Sequence, residues 1–295
     1  MDQPLVTTAH RPHHPASRKV TMDYRYHCTI PAADGRNTLP VNPCRLLDFT
    51  LLRLSAGESW TGGSGDREIL AVILGGTANF TVAGRDFPQV GQRPDVFSGK
   101  PHSVYLPAGS SVTVEAVTAV EIALPSAPSE LATDPYVIAP EQVAGGRWGA
   151  ANFGRTYHQI LTEISQPELP ARRLIVGETY TPSGNWSTYP PHRHKVDDLP
   201  AEAAHEEMYY YRVSPANGFG ISRVYTDDGY EENVTIRDHV MQMMPEGYHT
   251  VVSAPGYTTY FLWFLAGTQR TQGAREDADL AWVGQTVPTL RGLGL

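Results

Sequence analysis

The stretch Pro190-Pro-His-Arg-His194 holds two imidazoles at positions i and i+2. In an extended segment such residues project to the same face, so His192 and His194 can present two nitrogen ligands to one point. Glu207 opens a following aromatic run, and His249 comes just after the Pro245-Glu-Gly-Tyr248 turn. Three imidazoles and one carboxylate suit a single divalent first-row ion and leave coordination positions open for substrate oxygens. The set does not choose among Zn, Mn, Fe, Co and Ni. A His-x-His pair beside prolines is also common in surface loops. The acidic residue at a strand start and the glycine-preceded His249 favour the metal reading, because ligands from several strands converge inside a closed sheet.

Around these ligands, alternation puts Glu206 and Glu207 on opposite faces, so only one enters the barrel. Tyr209 and Tyr211 share the face of Glu207. On the next run, Arg223 and Tyr225 alternate in the same way. Arg223 is the candidate carboxylate-recognising cation, since a guanidinium binds both oxygens at once; its other reading is a surface ion pair. Tyr209, Tyr210, Tyr211, Tyr257, Tyr260 and Trp263 are mainly core packing, with one or two inward hydroxyls, notably Tyr209 and Tyr225, free to bind ligand hydroxyls. His10, His13 and His14 also cluster, but without an acidic or thiol partner they read as part of a polar tail.

The elements that must carry these residues are strands. Leu47 to Arg53, Glu68 to Leu74, Thr77 to Val82, Ser103 to Gly109, Ser111 to Val117 and Val120 to Leu124 are short β-branched runs separated by turn residues. That spacing points to a sandwich or barrel. The pattern returns in Arg173 to Tyr180, Glu207 to Val213, Gly220 to Thr226, Val234 to Met244, Tyr248 to Val252 and Tyr257 to Leu265. The Asn217-Gly218 turn predicts a hairpin between the second and third of these. Pro107-Ala-Gly109 and Pro245-Glu-Gly247 fall at matching places, a weak internal repeat. The fold class is therefore all-β. A polar arm spans 1–40, a first barrel 41–125, a proline-broken connector 126–170, a second barrel 171–270 and a weakly patterned tail 271–295.

Composition bounds the function. Hydrophobic residues make up 41% of the 295, enough for a sizeable core. The net charge of −8 disfavours nucleic acid as a partner but leaves room for a small anionic ligand held by one or two local cations. The two cysteines, Cys28 and Cys44, match no metal spacing and read as free thiols in a reducing cytosol. No secretion signal is visible at the N-terminus and no apolar run is long enough for a membrane span, so the expected location is cytoplasmic.

With these residues in view, the sequence resembles the 5-deoxy-glucuronate isomerase family of inositol catabolism, within the cupin superfamily. The matching stretches are Gly184 to His194, Glu206 to Arg212, Gly218 to Asp228, Gly247-Tyr-His249 and Pro255 to Gly267, with Val104 to Val114 in the first half. The resemblance covers roughly residues 45–285. It implies a bicupin with its metal in the second barrel only, on His192, His194, Glu207 and His249, the first barrel being degenerate. It also implies conversion of 5-deoxy-D-glucuronate to 2-deoxy-5-keto-D-gluconate. The chain departs from the family at Lys195, where an acidic residue is usual, and in its longer N-terminal arm.

An aldose–ketose change removes a proton next to a carbonyl. A cation at the carbonyl and hydroxyl oxygens stabilises the enediolate, and a general base carries the proton. With the four ligands occupied, Tyr211, Tyr260 or a hydroxide on the metal are the candidate bases. The same ligand set would also serve an isomerase of a related keto-uronate such as 5-keto-4-deoxyuronate, a metal-dependent dioxygenase, or a sugar-acid-binding cupin without turnover. Homo-oligomers formed through sheet edges are compatible with this barrel type.

Overall fold

The computed structural model describes residues 25–295. His10, His13 and His14 lie outside the described residues. Four antiparallel sheets stack as two barrels back to back, the bicupin architecture. The first barrel pairs a four-stranded sheet (Ser59–Gly63, Ala78–Val82, Arg85–Val90, Ser111–Ala116) with a six-stranded one. The six-stranded sheet is centred on Asp48–Leu54, Arg67–Gly75 and Val120–Pro128. In the second barrel, a five-stranded sheet (Trp186–Arg193, Gly220–Tyr225, Glu231–Ile236, Tyr248–Ser253, Arg275–Glu276) faces a seven-stranded one. The centre of the seven-stranded sheet is His205–Ser214, Thr258–Gly267 and Ile175–Thr181.

Three cores follow from this stacking. One fills the first barrel around Leu52, Ile73, Phe80 and Val114. A second fills the closed end of the other barrel around Tyr209, Tyr211, Phe261 and Trp263. The third lies between the two large sheets, where Phe49, Leu70 and Tyr105 meet Met208, Tyr210, Tyr260 and Phe264. Phe49 stacks on Tyr210 at 5.2 Å and on Phe264 at 5.7 Å. Strands of the large sheets are thus buried on both faces and read as continuous apolar runs.

Two carboxylates clasp the barrels reciprocally. Glu68, from the first barrel, accepts the backbone N–H groups of Arg172, Arg173 and Leu174 at 2.6–2.8 Å. Glu206, from the second, accepts those of Arg45, Leu46 and Leu47 at 2.7–3.0 Å. The face that alternation denied Glu206 inside the barrel is used here. Equivalent registers mark the repeat: Ile69 pairs with Leu106 as Glu207 pairs with Met244, and Gly63 pairs with Ser111 as His192 pairs with His249. The first barrel therefore offers Gly63, Ile69 and Ser111 where the second offers His192, Glu207 and His249, and its centre is hydrocarbon.

Several sequence expectations need correction. Glu207 to Val213 and Gly220 to Thr226 do not form a hairpin. Gly220–Tyr225 pairs with Glu231–Ile236 and Tyr248–Ser253, so the chain crosses from one sheet to the other at the Asn217-Gly218 turn. Segment 126–170 carries strands Tyr136–Ile138, Ala144–Trp148 and Arg155–Leu161, the last two extending the seven-stranded sheet. Within 1–40, His27–Thr29 adds a strand to the second barrel. The tail holds Arg275–Glu276, a 3-10 turn at Ala281–Thr286 and a short helix at Val287–Gly292. Among the described residues no helix is long and apolar enough to cross a membrane.

Candidate active site

A cavity of about 610 Å³ opens at one end of the second barrel. Its polar floor is set by Trp186–Arg193 and by His205–Ser214 from the opposing sheet. The first of these strands is irregular. Ser187 pairs with Val251 and His192 with His249, leaving a bulge between them in which Thr188 takes φ 51°. A β-branched residue in the left-handed region is strained, and such strain is held only where its surroundings enforce it. The bulge delivers His192 to the cavity, and His194 follows two residues on.

His192, His194 and Glu207 each offer a ligand atom, and these lie within 4.8 Å of one another. His249 joins from the neighbouring strand, its Nε2 3.1 Å from Glu207 Oε2; the corresponding His194 distance is 3.4 Å. The His192 ring centroid lies 4.7 Å from that of His249 and 5.1 Å from that of His194. Burial disfavours a charged Glu207, but the facing His249 and His194 outweigh it and hold the carboxyl well below the usual range. Burial, reinforced by His249 and His194, keeps His192 neutral, the form that ligates.

This donor set fits a divalent cation. Glu207 Oε2 is buried with no aligned hydrogen-bond donor, and a carboxylate oxygen in that position needs a positive partner. The supporting contacts also fit: His194 Nδ1 is 2.8 Å from the Gly273 carbonyl, which fixes its ring with Nε2 directed at the cluster. Tyr209 places its hydroxyl 2.9 Å from His249 Nε2. Burial, then the charge of Glu207, pushes that phenol well above its ordinary range, so it is a hydrogen-bond donor at neutral pH.

The other residues singled out from sequence are not brought to the cavity. Arg223 and Tyr225 face outward, because Ser222 and Val224 take the inward positions of their strand. The Arg223 guanidinium pairs with Glu231 at 2.8 Å and lies over the Tyr225 ring, whose hydroxyl donates to Asp277. Tyr260 points into the core between barrels and donates to Glu178 at 3.0 Å, while its neighbours Phe261 and Trp263 line the cavity. Tyr211 faces inward but sits below the cavity, donating to Gln242. Neither tyrosine is placed to move a substrate proton. Lys195 turns away, to Asp227 at 3.2 Å and Glu246 at 3.3 Å.

Sequence reasoning missed two charged groups. Among the described residues, Arg155 is the one arginine or lysine lining the cavity and Glu276 the one carboxylate outside the ligand cluster. Glu276 sits on the short strand that pairs with His192. Glu276 is exposed at the cavity wall, and partial desolvation there raises its carboxyl, against the opposing pull of Arg155. Trp148, Phe261, Trp263, Leu265, Val287 and Pro288 supply an apolar wall.

The model of the KduI/IolB family matches residues 30–283. The chain belongs to that family. A 5-deoxy-glucuronate isomerase of Geobacillus kaustophilus is 40% identical over 237 residues, covering 80% of this chain and 84% of that protein. The 5-deoxy-glucuronate isomerase of Bacillus subtilis is 37% identical over 239 residues, covering 80% and 87%. The crystal structure of an IolB-like protein from Salmonella typhimurium superposes with a TM-score of 0.83 at 31% identity, over 88% of this chain and 99% of that one. An oxalate decarboxylase of Bacillus subtilis matches the fold, with a TM-score of 0.58 at 12% identity over 90% of this chain and 80% of its own.

Proposed function

We propose that the chain is a metal-dependent aldose–ketose isomerase that converts 5-deoxy-D-glucuronate to 2-deoxy-5-keto-D-gluconate in inositol catabolism. The observation that carries this reading is the convergence of Glu207, His192 and His194 on the floor of a cavity large enough for a six-carbon acid, with the buried His249 3.1 Å from Glu207. Membership of the KduI/IolB family supports it.

His192, His194, Glu207 and His249 would hold one divalent first-row ion such as Zn, Mn, Fe, Co or Ni. When bound, such an ion stabilises negative charge building on adjacent carbonyl and hydroxyl oxygens as the intervening proton leaves. Tyr209, kept protonated by burial, donates a hydrogen bond toward the same oxygens. Glu276 is the group we assign to the proton. It is outside the ligand set, lines the cavity, and has a raised carboxyl, the direction wanted in a base that returns its proton near neutral pH. The apolar wall excludes water and suits a sugar with a deoxy carbon. The free thiols Cys28 and Cys44 are in keeping with a cytoplasmic enzyme.

The test is a coupled assay on 5-deoxy-D-glucuronate and, side by side, on 5-keto-4-deoxyuronate, with the metal-loaded chain. Turnover of the first is expected to exceed that of the second by at least ~100-fold in kcat/KM, about the discrimination one mismatched polar group supports. Preference for the second would replace this reading with the related uronate isomerase. Binding of both without turnover would make the chain a sugar-acid binder.

A further inference from the structure

The cavity wall carries polar groups outside the ligand cluster, and among the described residues Arg155 is the cation among them. It begins the strand Arg155–Leu161 and pairs in register with Trp148 across the turn Gly149–Gly154. Three contacts pin that turn. Asn185 donates to the Gly154 carbonyl at 2.7 Å, and Arg291 of the C-terminal helix donates to the carbonyls of Gly149 and Arg147 at 3.2 and 3.0 Å. Gly149, at φ 69°, lets the backbone pass beneath the guanidinium: a Cβ there would sit 2.9 Å from Arg155 Nη1 and 2.1 Å from the Phe153 carbonyl oxygen.

The guanidinium itself is under-used. Its contacts among the described residues are long ones from Nη1, to the carbonyls of Phe153 at 3.3 Å and Tyr189 at 3.5 Å, and the Trp148 ring at 5.7 Å. No carboxylate of the described residues pairs with the half-buried Arg155 within 4.0 Å, whereas the buried Arg93 is held bidentately by Glu178. Burial lowers the Arg155 guanidinium to about 10, so it stays cationic at neutral pH while having given up much of its hydration. Two further polar atoms in the cavity wall are buried without partners: Ser187 Oγ, on a residue 0% exposed, and Gln272 Oε1. A cation, a hydroxyl and an amide left unsatisfied around one space are what a ligand with a carboxylate and hydroxyls would complete.

We infer that Arg155 is the carboxylate anchor of the cavity, binding the C1-distal acid group of the substrate and thereby selecting uronic acids over neutral sugars. This rests on the isomerase reading and deepens it. The carboxylate docks on the guanidinium, Ser187 and Gln272 complete the polar contacts, and the reacting carbons are left over the His/Glu cluster. Arg155 is a specificity-determining residue in this scheme and carries no proton.

The experiment compares wild type with Arg155→Met and Arg155→Lys on 5-deoxy-D-glucuronate and on its neutral counterpart, 5-deoxy-D-glucose. Wild type is expected to favour the acid by at least ~100-fold in kcat/KM, the scale of one charge-assisted contact. In R155M this preference falls below ~10-fold through a raised KM for the acid, and R155K restores part of the preference. Metal content stays at the wild-type level in both. An R155M that keeps the wild-type preference overturns the assignment. Calorimetric titration of each protein with gluconate and with its neutral amide gives a readout that needs neither turnover nor a well-folded variant in every case. Wild type should bind gluconate at least ~10-fold tighter than the amide, a difference of about 1.4 kcal/mol. Equal binding by wild type contradicts the anchor. Absence of turnover by wild type with the gluconate preference intact would instead remove the isomerase reading and leave the anchor standing.

Discussion

Replacing Arg93 with Met should destabilise the whole chain, and its cost can be worked from the contacts. Arg93, in a loop of the first barrel, donates to Glu178 of the second at 3.0 and 3.1 Å, with side-chain exposures of 2% and 0%. Glu178 also accepts Tyr180 Oη at 2.7 Å and Tyr260 Oη at 3.0 Å, and His158 Nδ1 lies 2.7 Å away. Burial opposes its charge, but Arg93 outweighs it and holds the carboxyl below the usual range. Removing one partner of a buried pair strands the other, at a cost of about 3–5 kcal/mol. Urea unfolding followed by tryptophan fluorescence should show that loss for R93M. The sign with pH follows from linkage. In wild type the depressed carboxyl contributes stability above its unfolded value near 4, lost as pH falls through the folded value. Without Arg93 the buried carboxyl titrates higher, so protonation relieves the variant first, and the gap should narrow between about pH 8 and about pH 5. In the double variant R93M/Glu178→Leu most of the loss should return, less about 1–3 kcal/mol for the stranded Tyr260 hydroxyl. An R93M gap under ~1 kcal/mol, or one that widens in acid, would refute the reasoning.

Three other outcomes are expected. Glu68→Ala strips three backbone N–H groups and the Tyr105 hydroxyl of their buried acceptor and should cost about 2–4 kcal/mol in the same unfolding assay, where a neutral result would remove the clasp. Glu276→Gln should lower kcat by about 100-fold or more with metal content unchanged; in wild type kcat should rise with pH through the raised carboxyl, and that limb should vanish in the variant. Gly177→Ala would bring a Cβ to 2.1 Å from Trp263 Cζ2 and 2.6 Å from the His158 carbonyl oxygen. It should cost about 1–3 kcal/mol and raise KM by displacing the cavity wall, both readable by unfolding and steady-state kinetics.

The ligand cluster was legible because its residues are rare, chemically specific and spaced by backbone geometry. The substrate end was not, for physical reasons visible in particular strands. Tyr260-Phe-Leu-Trp-Phe-Leu-Ala266 is apolar on both faces, one against the first barrel and one toward the cavity, so alternation cannot say which side Tyr260 takes. Ile221-Ser-Arg-Val-Tyr225 is equally ambiguous: Ile221, Arg223 and Tyr225 form one set and Ser222 and Val224 the other, and it is the smaller set that turns inward. Arg155 lies in a segment whose prolines and glycines suggest a connector. Its strand lacks an apolar rhythm because one face meets the polar Glu178 cluster and the other the cavity. Glu276 belongs to a two-residue strand, too short for any periodicity. The back-to-back stacking of the barrels shows in sequence only as strands apolar throughout, which a buried single sheet would also give.

Elemental analysis of the purified chain, before and after Glu207→Ala, tests the central claim most directly. The account predicts a stoichiometric divalent first-row metal in wild type and its loss, together with isomerase activity, in the variant. Full isomerase activity in wild type stripped of metal by a chelator, or undiminished metal in the variant, would contradict it.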